Sequence, residues 1–251
     1  MDKIRAIIPA AGKGTRLQAI SGDLPKAMFQ VEGRPMLEIV LENINFIEND
    51  DIYIVVGCAK EKIIEYFGDR HHYVEQEQQL GTGHAVMECA PAFEGFEGTV
   101  LITFGDMPLF RREEMLKMCL QHQKNGADCT LMTAENPELT MWARVTRDQN
   151  GKFEAIVEGK DCTPQQAQIK ELFSGVIVFN SKSLFEVLPQ MGCANAQKEY
   201  YLTEVPELMA KQGMKVETYF TKDGNDLRGI NTPEDLEMCQ KIFRQRHATV
   251  S

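Results

Sequence analysis

The chain has 251 residues, of which 43% are hydrophobic and 25% are charged, values typical of a globular protein with a sizeable core. Its formal net charge is −10, and the sequence contains no block rich in lysine and arginine. Both features argue against a nucleic-acid partner or binding to an anionic membrane surface. A protein of this charge that handles phosphorylated compounds must hold its positive charges in one pocket.

The start of the chain and its cysteines indicate the compartment. The first residues lead directly into a short apolar stretch without the long core of a signal peptide, and no segment approaches the roughly 20 apolar residues of a membrane span. The seven cysteines are scattered and include no C-x-x-C pair, which argues against a disulfide framework and a structural zinc site. We expect a soluble cytoplasmic protein with reduced, mostly buried thiols.

Strand and helix patterns alternate through the first half of the chain. In chain order they predict a strand at 4–9, a helix at 36–47, a strand at 51–56, a helix at 61–67, a strand at 99–103, a helix at 113–123 and a strand at 128–133. This alternation predicts an α/β fold, with a mostly parallel or mixed sheet and helices on both faces.

The pattern becomes mixed after about residue 140. Strand patterns at 144–146 and 153–157 flank Asn150 and Gly151, a hairpin-turn signal, and another strand is predicted at 176–179. Helices are predicted at 201–212 and 233–243, and no linker or repeat occurs. We therefore expect one domain over residues 1–251, whose second half closes over a site formed by the first.

A glycine-rich loop, G-x-G-T-R, follows the first predicted strand. Gly12 and Gly14 allow the backbone to approach a phosphate, and successive amide N–H groups form an anion-binding nest. Lys13 and Arg16 add positive charge to the same turn. The loop fits neither a P-loop nor a dinucleotide-binding fingerprint. An ordinary glycine turn with solvated cations is the alternative.

Two further residues could bind a phosphorylated ligand. Lys26 follows the loop in a Pro-Lys pair, and its compact ammonium could contact a phosphate oxygen. Asp106 lies just after the predicted strand at 99–103, at the end of the sheet where ligands bind in open α/β folds. An aspartate in that place can also be a plain helix cap.

Together these features resemble the sugar-1-phosphate nucleotidyltransferases. The G-x-G-T-R loop followed by Pro-Lys is similar to that family's signature, and five later segments resemble the uridylyltransferase domain of N-acetylglucosamine-1-phosphate uridylyltransferase. These segments lie at 76–85, 104–109, 156–161, 195–204 and 229–231, in the family's order, and span nearly the whole chain. The resemblance implies a Rossmann-like nucleotidyltransferase fold, with a nucleotide-binding half at 1–140 and a sugar-binding half at 141–251.

The resemblance also implies roles for individual residues. Those that would bind the nucleotide are Ala10, Ala11, Gly12, Gly14, Thr15, Gln76, Gly81 and Thr82, with Lys13 and Arg16 on the β- and γ-phosphates and Lys26 on the α-phosphate. Gln76 could instead satisfy only the backbone, and Gly81 could only permit a turn. For His84 we expect local hydrogen bonds rather than chemistry.

A metal site and a sugar site follow from the same resemblance. Asp106 and Asn231 would hold Mg²⁺ together with phosphate oxygens and waters. Those that would face the sugar are Ala143, Glu158, Phe173, Asn195, Tyr201 and Thr203.

The sugar half departs from the family pattern. The segment 141–144 reads Met-Trp-Ala-Arg where the acetylglucosamine enzymes usually have Gly-Tyr-Gly-Arg, and Phe173 replaces an asparagine. Lys198 and Glu204 stand where glycine and aspartate are usual, and the segment 8–26 resembles glucose-1-phosphate uridylyltransferases more closely. Phe173 thus brings an apolar surface where an amide could pair with a sugar hydroxyl.

We expect the chain to form a UDP-sugar from UTP and a sugar 1-phosphate, with release of pyrophosphate, as a precursor of cell wall or polysaccharide. UDP-N-acetylglucosamine or a related UDP-sugar is the expected product. The alternatives are a cytidylyltransferase acting on another phosphorylated small molecule and a catalytically silent nucleotide-sugar sensor. No hexapeptide repeats follow Asn231, so we expect no left-handed β-helix and no acetyltransferase activity.

Overall fold

The computed structural model describes residues 2–12, 14, 24–193 and 198–248. Its strands are β1 (Ile4–Pro9), β2 (Gln30–Val31), β3 (Arg34–Pro35), β4 (Ile52–Val56), β5 (His72–Glu75), β6 (Thr99–Ile102), β7 (Cys129–Glu135), β8 (Arg144–Arg147), β9 (Phe153–Val157), β10 (Glu171–Asn180) and β11 (Val216–Phe220). Its α-helices are α1 (Met36–Asn43), α2 (Lys60–Phe67), α3 (Thr82–Met87), α4 (Arg112–Asn125), α5 (Ser181–Val187), α6 (Glu204–Lys211) and α7 (Pro233–Ala248).

The main sheet confirms the predicted α/β class. Seven strands follow the order β11-β7-β10-β6-β1-β4-β5, and β8 and β9 extend the sheet from β10. Six of the seven run parallel to one another, while β10 lies antiparallel to both of its neighbours in this order. The carboxyl ends of β1 and β6 therefore lie at the same edge of the sheet. The glycine-rich loop follows β1 there, and Asp106 follows β6.

Both faces of this sheet are covered by helices. Alternate residues of β1 enter different cores, with Ile7 in one and Ile8 in the other, and both are fully buried. Helices α3, α5 and α6 pack on the face of Ile7, and α1, α2 and α4 pack on the face of Ile8. A strand buried on both faces carries a continuous apolar run, which is why β1 could be recognised from the sequence.

The carboxyl-terminal helix α7 packs away from the main sheet. Its Cys239 and Ile242 join a separate core with Phe29, Val31 and Met36 of the β2–β3 region. This packing returns the end of the chain to the segment around Lys26, more than two hundred positions earlier.

Several predicted boundaries differ from the structure. Helix α1 ends at Asn43 rather than 47, but Ile44 and Ile47 remain buried in the turn that follows, which explains the helical spacing. Helix α6 begins at Glu204 rather than 201, because the residues before it hydrogen-bond to the loop at 80–83. The strand predicted at 176–179 is the longer β10, which has a bulge between Phe173 and Ile177.

The cysteines and the helices bear on two further expectations. Cys89, Cys119, Cys129 and Cys239 are buried, and all seven cysteines are free, as expected. Among the residues that the structure describes, no helix has the length and apolar character needed to cross a membrane.

Candidate active site

Two adjoining cavities open at the carboxyl ends of the parallel strands. Cavity A, of about 250 Å³, is lined by the loop after β1, by Lys26 and by the segment from Gln76 to Thr82. Cavity B, of about 310 Å³, lies between the β8–β10 region and Asn231. Thr82, Phe104 and Asp106 line both cavities. A ligand that extends from one cavity into the other would therefore pass Asp106.

Lys26, Asp106 and Asn231 meet at this boundary. The Lys26 ammonium donates a short hydrogen bond to Oδ2 of Asp106 and another, 2.7 Å long, to Oδ1 of Asn231. Lys26 opens a 3₁₀ turn after Pro25, Asp106 follows β6 and Asn231 precedes α7. Three separate parts of the chain thus place one cation and two oxygen atoms together.

The backbone around Asn231 is held by hydrogen bonds on both sides. The Ile230 N–H donates to the carbonyl oxygen of Asp106 over 3.0 Å, which ties together the segments that carry the two oxygen donors. The carboxylate of Asp235 accepts the N–H groups of Asn231 and Thr232, each over 2.9 Å, at the start of α7. This reciprocal capping fixes the backbone that carries the Asn231 side chain.

A buried ion-pair network holds α7 in place. Asp226 is fully buried and accepts hydrogen bonds from Arg111, Arg246 and Thr221. Arg246 belongs to α7, and Arg111 precedes α4. Because a buried carboxylate without partners is very costly, the network requires both arginines and locks the helix that follows Asn231.

The donor set at the cavity boundary fits Mg²⁺. A carboxylate oxygen and an amide oxygen converge on the Lys26 ammonium, which occupies the position that a metal cation could take. Mg²⁺ prefers such hard oxygen ligands and completes its shell with phosphate oxygens and waters. The described part of the chain has no cluster of three or more histidine, cysteine, aspartate or glutamate residues able to hold a metal. A cation at this point would therefore be shared with a bound phosphate.

The glycine-rich loop packs directly on Lys26. Gly14 has φ +61°, and a Cβ there would lie 2.9 Å from Cβ of Lys26. The Lys26 N–H donates to the carbonyl oxygen of Gly12, and Ala10 and Ala11 line cavity A. Lys13, Thr15 and Arg16 lie outside the described residues.

Gln76 and His84 support the far end of cavity A. Gln76 is 3% exposed, and its amide nitrogen lies 3.0 Å both from the carbonyl oxygen of Gly81 and from Nδ1 of His84. Nε2 of His84 in turn lies 3.1 Å from Glu88. The expectation of local hydrogen bonds for His84 is confirmed. With the Gln76 nitrogen engaged, its Oε1 is the atom through which it could accept from a ligand.

The glycines of the G-T-G segment allow two backbones to approach closely. Gly81 has φ +111°, and a Cβ there would lie 2.5 Å from the carbonyl oxygen of Tyr200. The Tyr200 N–H donates to Leu80 and its carbonyl accepts from Gly83, both over 2.8 Å. Gly81 therefore has a structural role as well as its place on the wall of cavity A.

Cavity B has a largely apolar wall and one partly buried carboxylate besides Asp106. Its apolar part includes Ala143, Phe173 and Trp142, and Phe173 is only 5% exposed. Glu158 accepts a long hydrogen bond of 3.4 Å from the Thr203 hydroxyl. Burial raises the pKa of the Glu158 carboxyl, an effect that the Thr203 hydroxyl partly opposes.

Two of the residues expected to face the sugar are not found at cavity B. Tyr201 lines a neighbouring third cavity, which shares Glu158 and Thr203 with cavity B, and its hydroxyl accepts a hydrogen bond from Lys160. Asn195 lies outside the described residues. The structure thus gathers four of the six at cavity B, namely Ala143, Glu158, Phe173 and Thr203.

Several residues that line the cavities had no role predicted from the sequence, among them Gln79, Trp142 and Phe104. Gln79 lines cavity A, Trp142 lines cavity B, and Phe104 lines both. Phe104 directly precedes the Gly-Asp pair after β6, and Gln79 lies within the run that contains Gln76. Their positions within these motifs are the sequence features that could have predicted a place at the cavities.

Lys198 also departs from ordinary backbone geometry. It stands where the resembled family usually has glycine, and it adopts φ +55°. Lysine in this left-handed region is strained, since only glycine adopts it freely.

Comparisons with known proteins agree with the motifs. The model of the MobA-like NTP transferase domain matches residues 6–204. The bifunctional protein GlmU of Enterococcus faecalis is 37% identical over 246 residues, which cover 98% of this chain and 53% of that protein. GlmU of Latilactobacillus sakei is 38% identical over 241 residues, covering 96% of this chain and 52% of that protein. The chain thus spans about half the length of these curated relatives.

Solved structures share the fold. UDP-glucose pyrophosphorylase complexed with UDP-glucose superimposes with a TM-score of 0.77 at 20% identity, covering 98% of this chain and all of that one. The apo form of a UDP-glucose pyrophosphorylase gives a TM-score of 0.76 at 18% identity, with the same coverage. The nucleotidyltransferase resemblance and the Rossmann-like fold that it implied are confirmed. Since the family model matches most of the chain, this protein belongs to the family of MobA-like NTP transferase domains.

Proposed function

We propose that the chain transfers a uridylyl group from UTP to a sugar 1-phosphate and releases pyrophosphate. The observation that carries this proposal is the meeting of Lys26, Asp106 and Asn231 at the boundary of two cavities. A reaction that joins two phosphorylated substrates needs cationic charge at the point where they meet. The similarity to GlmU proteins and the fold of UDP-glucose pyrophosphorylase support a UDP-sugar as the product.

Cavity A is proposed to bind the nucleotide. Ala10, Ala11 and Gly12 would contact the phosphates through the loop backbone, and Gln76, Gly81 and Thr82 would contact the base. Lys13 and Arg16 keep the β- and γ-phosphate roles implied by the family resemblance, with Thr15 beside them. Lys26 would neutralise charge on the α-phosphate, for which its place beside Asp106 is suitable.

Cavity B is proposed to bind the sugar. Glu158 and Thr203 would hydrogen-bond its hydroxyls, while Ala143 and Phe173 would pack on its apolar surfaces. We propose N-acetylglucosamine 1-phosphate as the ligand, or a related sugar 1-phosphate that makes fewer polar contacts where Phe173 lies. Thr82, Phe104 and Asp106 line both cavities, so the proposed nucleotide half, 1–140, also supplies part of the sugar site.

The proposed reaction is an in-line displacement at the α-phosphorus. An oxygen of the sugar 1-phosphate forms the new bond, the bond between the α-phosphorus and the bridging oxygen breaks, and pyrophosphate leaves with that electron pair. The attacking oxygen is already anionic, so no side chain has to remove a proton. Lys26 and the loop cations would hold the two anions in line and offset their repulsion.

Asp106 and Asn231 would hold Mg²⁺, as their converging oxygens permit. When bound, the ion supplies charge neutralisation at the phosphate oxygens. Lys26 would then leave these two oxygens and contact the substrate phosphate. We place the protein among cytoplasmic enzymes that supply precursors of cell wall or polysaccharide.

The decisive experiment combines each of four nucleoside triphosphates with several sugar 1-phosphates and measures pyrophosphate release. We expect release that requires both substrates and is fastest with UTP. Release with CTP and an alcohol phosphate would support a cytidylyltransferase instead. A protein that binds a UDP-sugar but never releases pyrophosphate would be a sensor, which would overturn the proposed reaction.

A further inference from the structure

Thr82 lies in the wall shared by the two cavities and connects their two sides. It follows Gly81 at the start of α3 and lines both cavity A and cavity B. Its Oγ1 accepts the backbone N–H of Leu202 over 3.1 Å. This hydrogen bond joins residues that are 120 positions apart.

The bond completes a contact between two segments, which we name the base loop (residues 80–83) and the sugar segment (residues 200–203). Tyr200 joins the base loop through two backbone hydrogen bonds, one to Leu80 and one from Gly83. The third bond, to Thr82, is the one that depends on a side chain. It can therefore be removed by substitution while both backbone bonds remain.

The sugar segment leads directly to the carboxylate of cavity B. Leu202 is 1% exposed, so its backbone has little freedom, and Thr203 follows it. The Thr203 hydroxyl donates to Oε1 of Glu158. The position of Leu202 therefore determines where the hydroxyl that orients Glu158 can lie.

We propose that Thr82 is a positioning residue that couples the base loop to Glu158, so that a nucleotide in cavity A prepares cavity B for the sugar 1-phosphate. This inference rests on the proposed function for the identity of the two ligands. A nucleotide that orders the base loop also orders the sugar segment, because three hydrogen bonds join the two segments. Two of these are the backbone bonds of Tyr200, and Thr82 supplies the third. By linkage, a sugar 1-phosphate in cavity B improves nucleotide binding to the same extent.

Two substitutions at one position separate this role from a simple packing role. Thr82→Val keeps the methyl group and the approximate volume but removes the hydroxyl that accepts the Leu202 N–H. Thr82→Ser keeps the hydroxyl and removes the methyl group. Thr203→Val breaks the next link in the same chain, the hydrogen bond to Glu158.

The chain contains a built-in probe for cavity B. Its sequence has a single tryptophan, Trp142, which lines that cavity. N-acetylglucosamine 1-phosphate is titrated while Trp142 fluorescence is recorded, once without UTP and once with saturating UTP. Both titrations use Mg²⁺-free buffer to prevent turnover. Together they measure the affinity of the sugar site and its coupling to the nucleotide. Calorimetric titration with UTP measures cavity A separately.

We expect Thr82→Val to weaken sugar 1-phosphate binding about 3- to 10-fold, the loss of one hydrogen bond, and to reduce its enhancement by UTP. The UTP affinity measured alone should fall by less than the sugar 1-phosphate affinity, and Thr82→Ser should restore both toward the wild-type values. Combined with Thr203→Val, the loss should be smaller than the sum of the two single effects, because both act on Glu158.

The opposite pattern would overturn the inference. If Thr82→Val weakened UTP binding as much as sugar binding, or if Thr82→Ser were as impaired as Thr82→Val, Thr82 would act only through packing or through its contact with the base. Additive effects with Thr203→Val would also contradict the coupling. A wild-type protein that releases no pyrophosphate would instead refute the proposed function, and the Trp142 titration would still decide the coupling.

Discussion

The Lys26 ammonium lies 2.7 Å from the side-chain oxygen of Asn231, although 205 positions separate the two residues. The contact depends on α7, which packs on the β2–β3 region and brings Asn231 back to the loop after β1. Asp106 completes the group from a third segment. The charge distribution at the cavity boundary is thus a product of the whole fold.

Substitution of Asp106 tests the proposed metal site. Asp106→Asn removes the negative charge but keeps the shape, so we expect turnover to fall by roughly two or more orders of magnitude with the fold intact. Pyrophosphate release gives the rate, and circular dichroism with thermal melting gives the fold. Asp69→Asn, an exposed substitution in the turn between α2 and β5, is the matched control and should leave the rate unchanged. A folded Asp106→Asn protein with near-normal activity would refute the assignment.

Lys26→Met tests the role of the ammonium. It removes the charge and keeps most of the side-chain length, and we expect kcat to fall about 100-fold or more, because charge on the α-phosphate is best matched in the transition state. The KM for UTP should change much less. Steady-state kinetics with both substrates varied measures the split. A loss confined to KM would make Lys26 a ground-state anchor instead.

The base loop predicts a preference for uracil. The Gln76 amide nitrogen is held by Gly81 and His84, so its fixed Oε1 can accept from the N–H of uracil but not from the ring nitrogen of cytosine at the same place. We expect the kcat/KM for UTP to exceed those for CTP and the purine triphosphates. Comparable values for UTP and CTP, or a preference for a purine, would contradict this prediction.

Glu158 should make sugar binding depend on pH. Burial raises the pKa of this carboxyl above its ordinary value of 4.5. As the pH falls through the raised pKa, the carboxylate becomes protonated and accepts hydrogen bonds from sugar hydroxyls less well. The KM for the sugar 1-phosphate should therefore begin to rise at a higher pH than it would if the glutamate had its ordinary pKa. Kinetics across the pH range would show this rise, and Glu158→Gln should remove it.

The same pKa has a consequence for stability with a defined sign. A raised pKa in the folded state means that folding disfavours the ionised carboxyl. The group therefore destabilises the protein fully above the raised pKa, progressively less as the pH falls below it, and no longer below the ordinary pKa of the unfolded chain. Glu158→Gln should therefore raise the melting temperature at neutral pH. Glu154→Gln, an exposed change on β9, the strand that ends just before Glu158, should not. A lower melting temperature for Glu158→Gln alone would show that its hydrogen bonds outweigh desolvation.

Gly81 and Gly95 form a matched pair for testing close backbone approach. Both have positive φ, +111° and +71°, but a Cβ at Gly81 would lie 2.5 Å from Tyr200, whereas a Cβ at Gly95 would meet nothing within 4 Å. Gly95→Ala should cost about 1 kcal/mol from backbone strain alone. Gly81→Ala should cost about 1–3 kcal/mol more from the clash. Chemical denaturation of both variants measures the difference, and equal losses would argue against the base-loop contact.

Local patterns accounted for much of the fold. The apolar runs of β1, β4 and β6 are visible because these strands are buried on both faces, and the helical spacing of α4 and α7 is clear. Helix α3 was not predicted, because its start, Gly81 to Gly83, reads as a turn. Its glycines are needed for the approach of Tyr200, which no local pattern reveals. The reversed direction of β10 was equally invisible, since direction in a sheet depends on pairing partners.

For the candidate site, the sequence by itself determined the kinds of chemical group and their motifs. The loop glycines, the Pro-Lys pair and the aspartate after β6 lie close to recognisable elements, and local backbone rules make such placements predictable. Only the tertiary structure decided that Lys26 occupies the point between Asp106 and Asn231, that Thr203 lines cavity B and Tyr201 does not, and that Thr82 contacts Leu202. These relationships join residues far apart in the chain, and they arise from the packing of helices and the pairing of strands, which no short segment encodes.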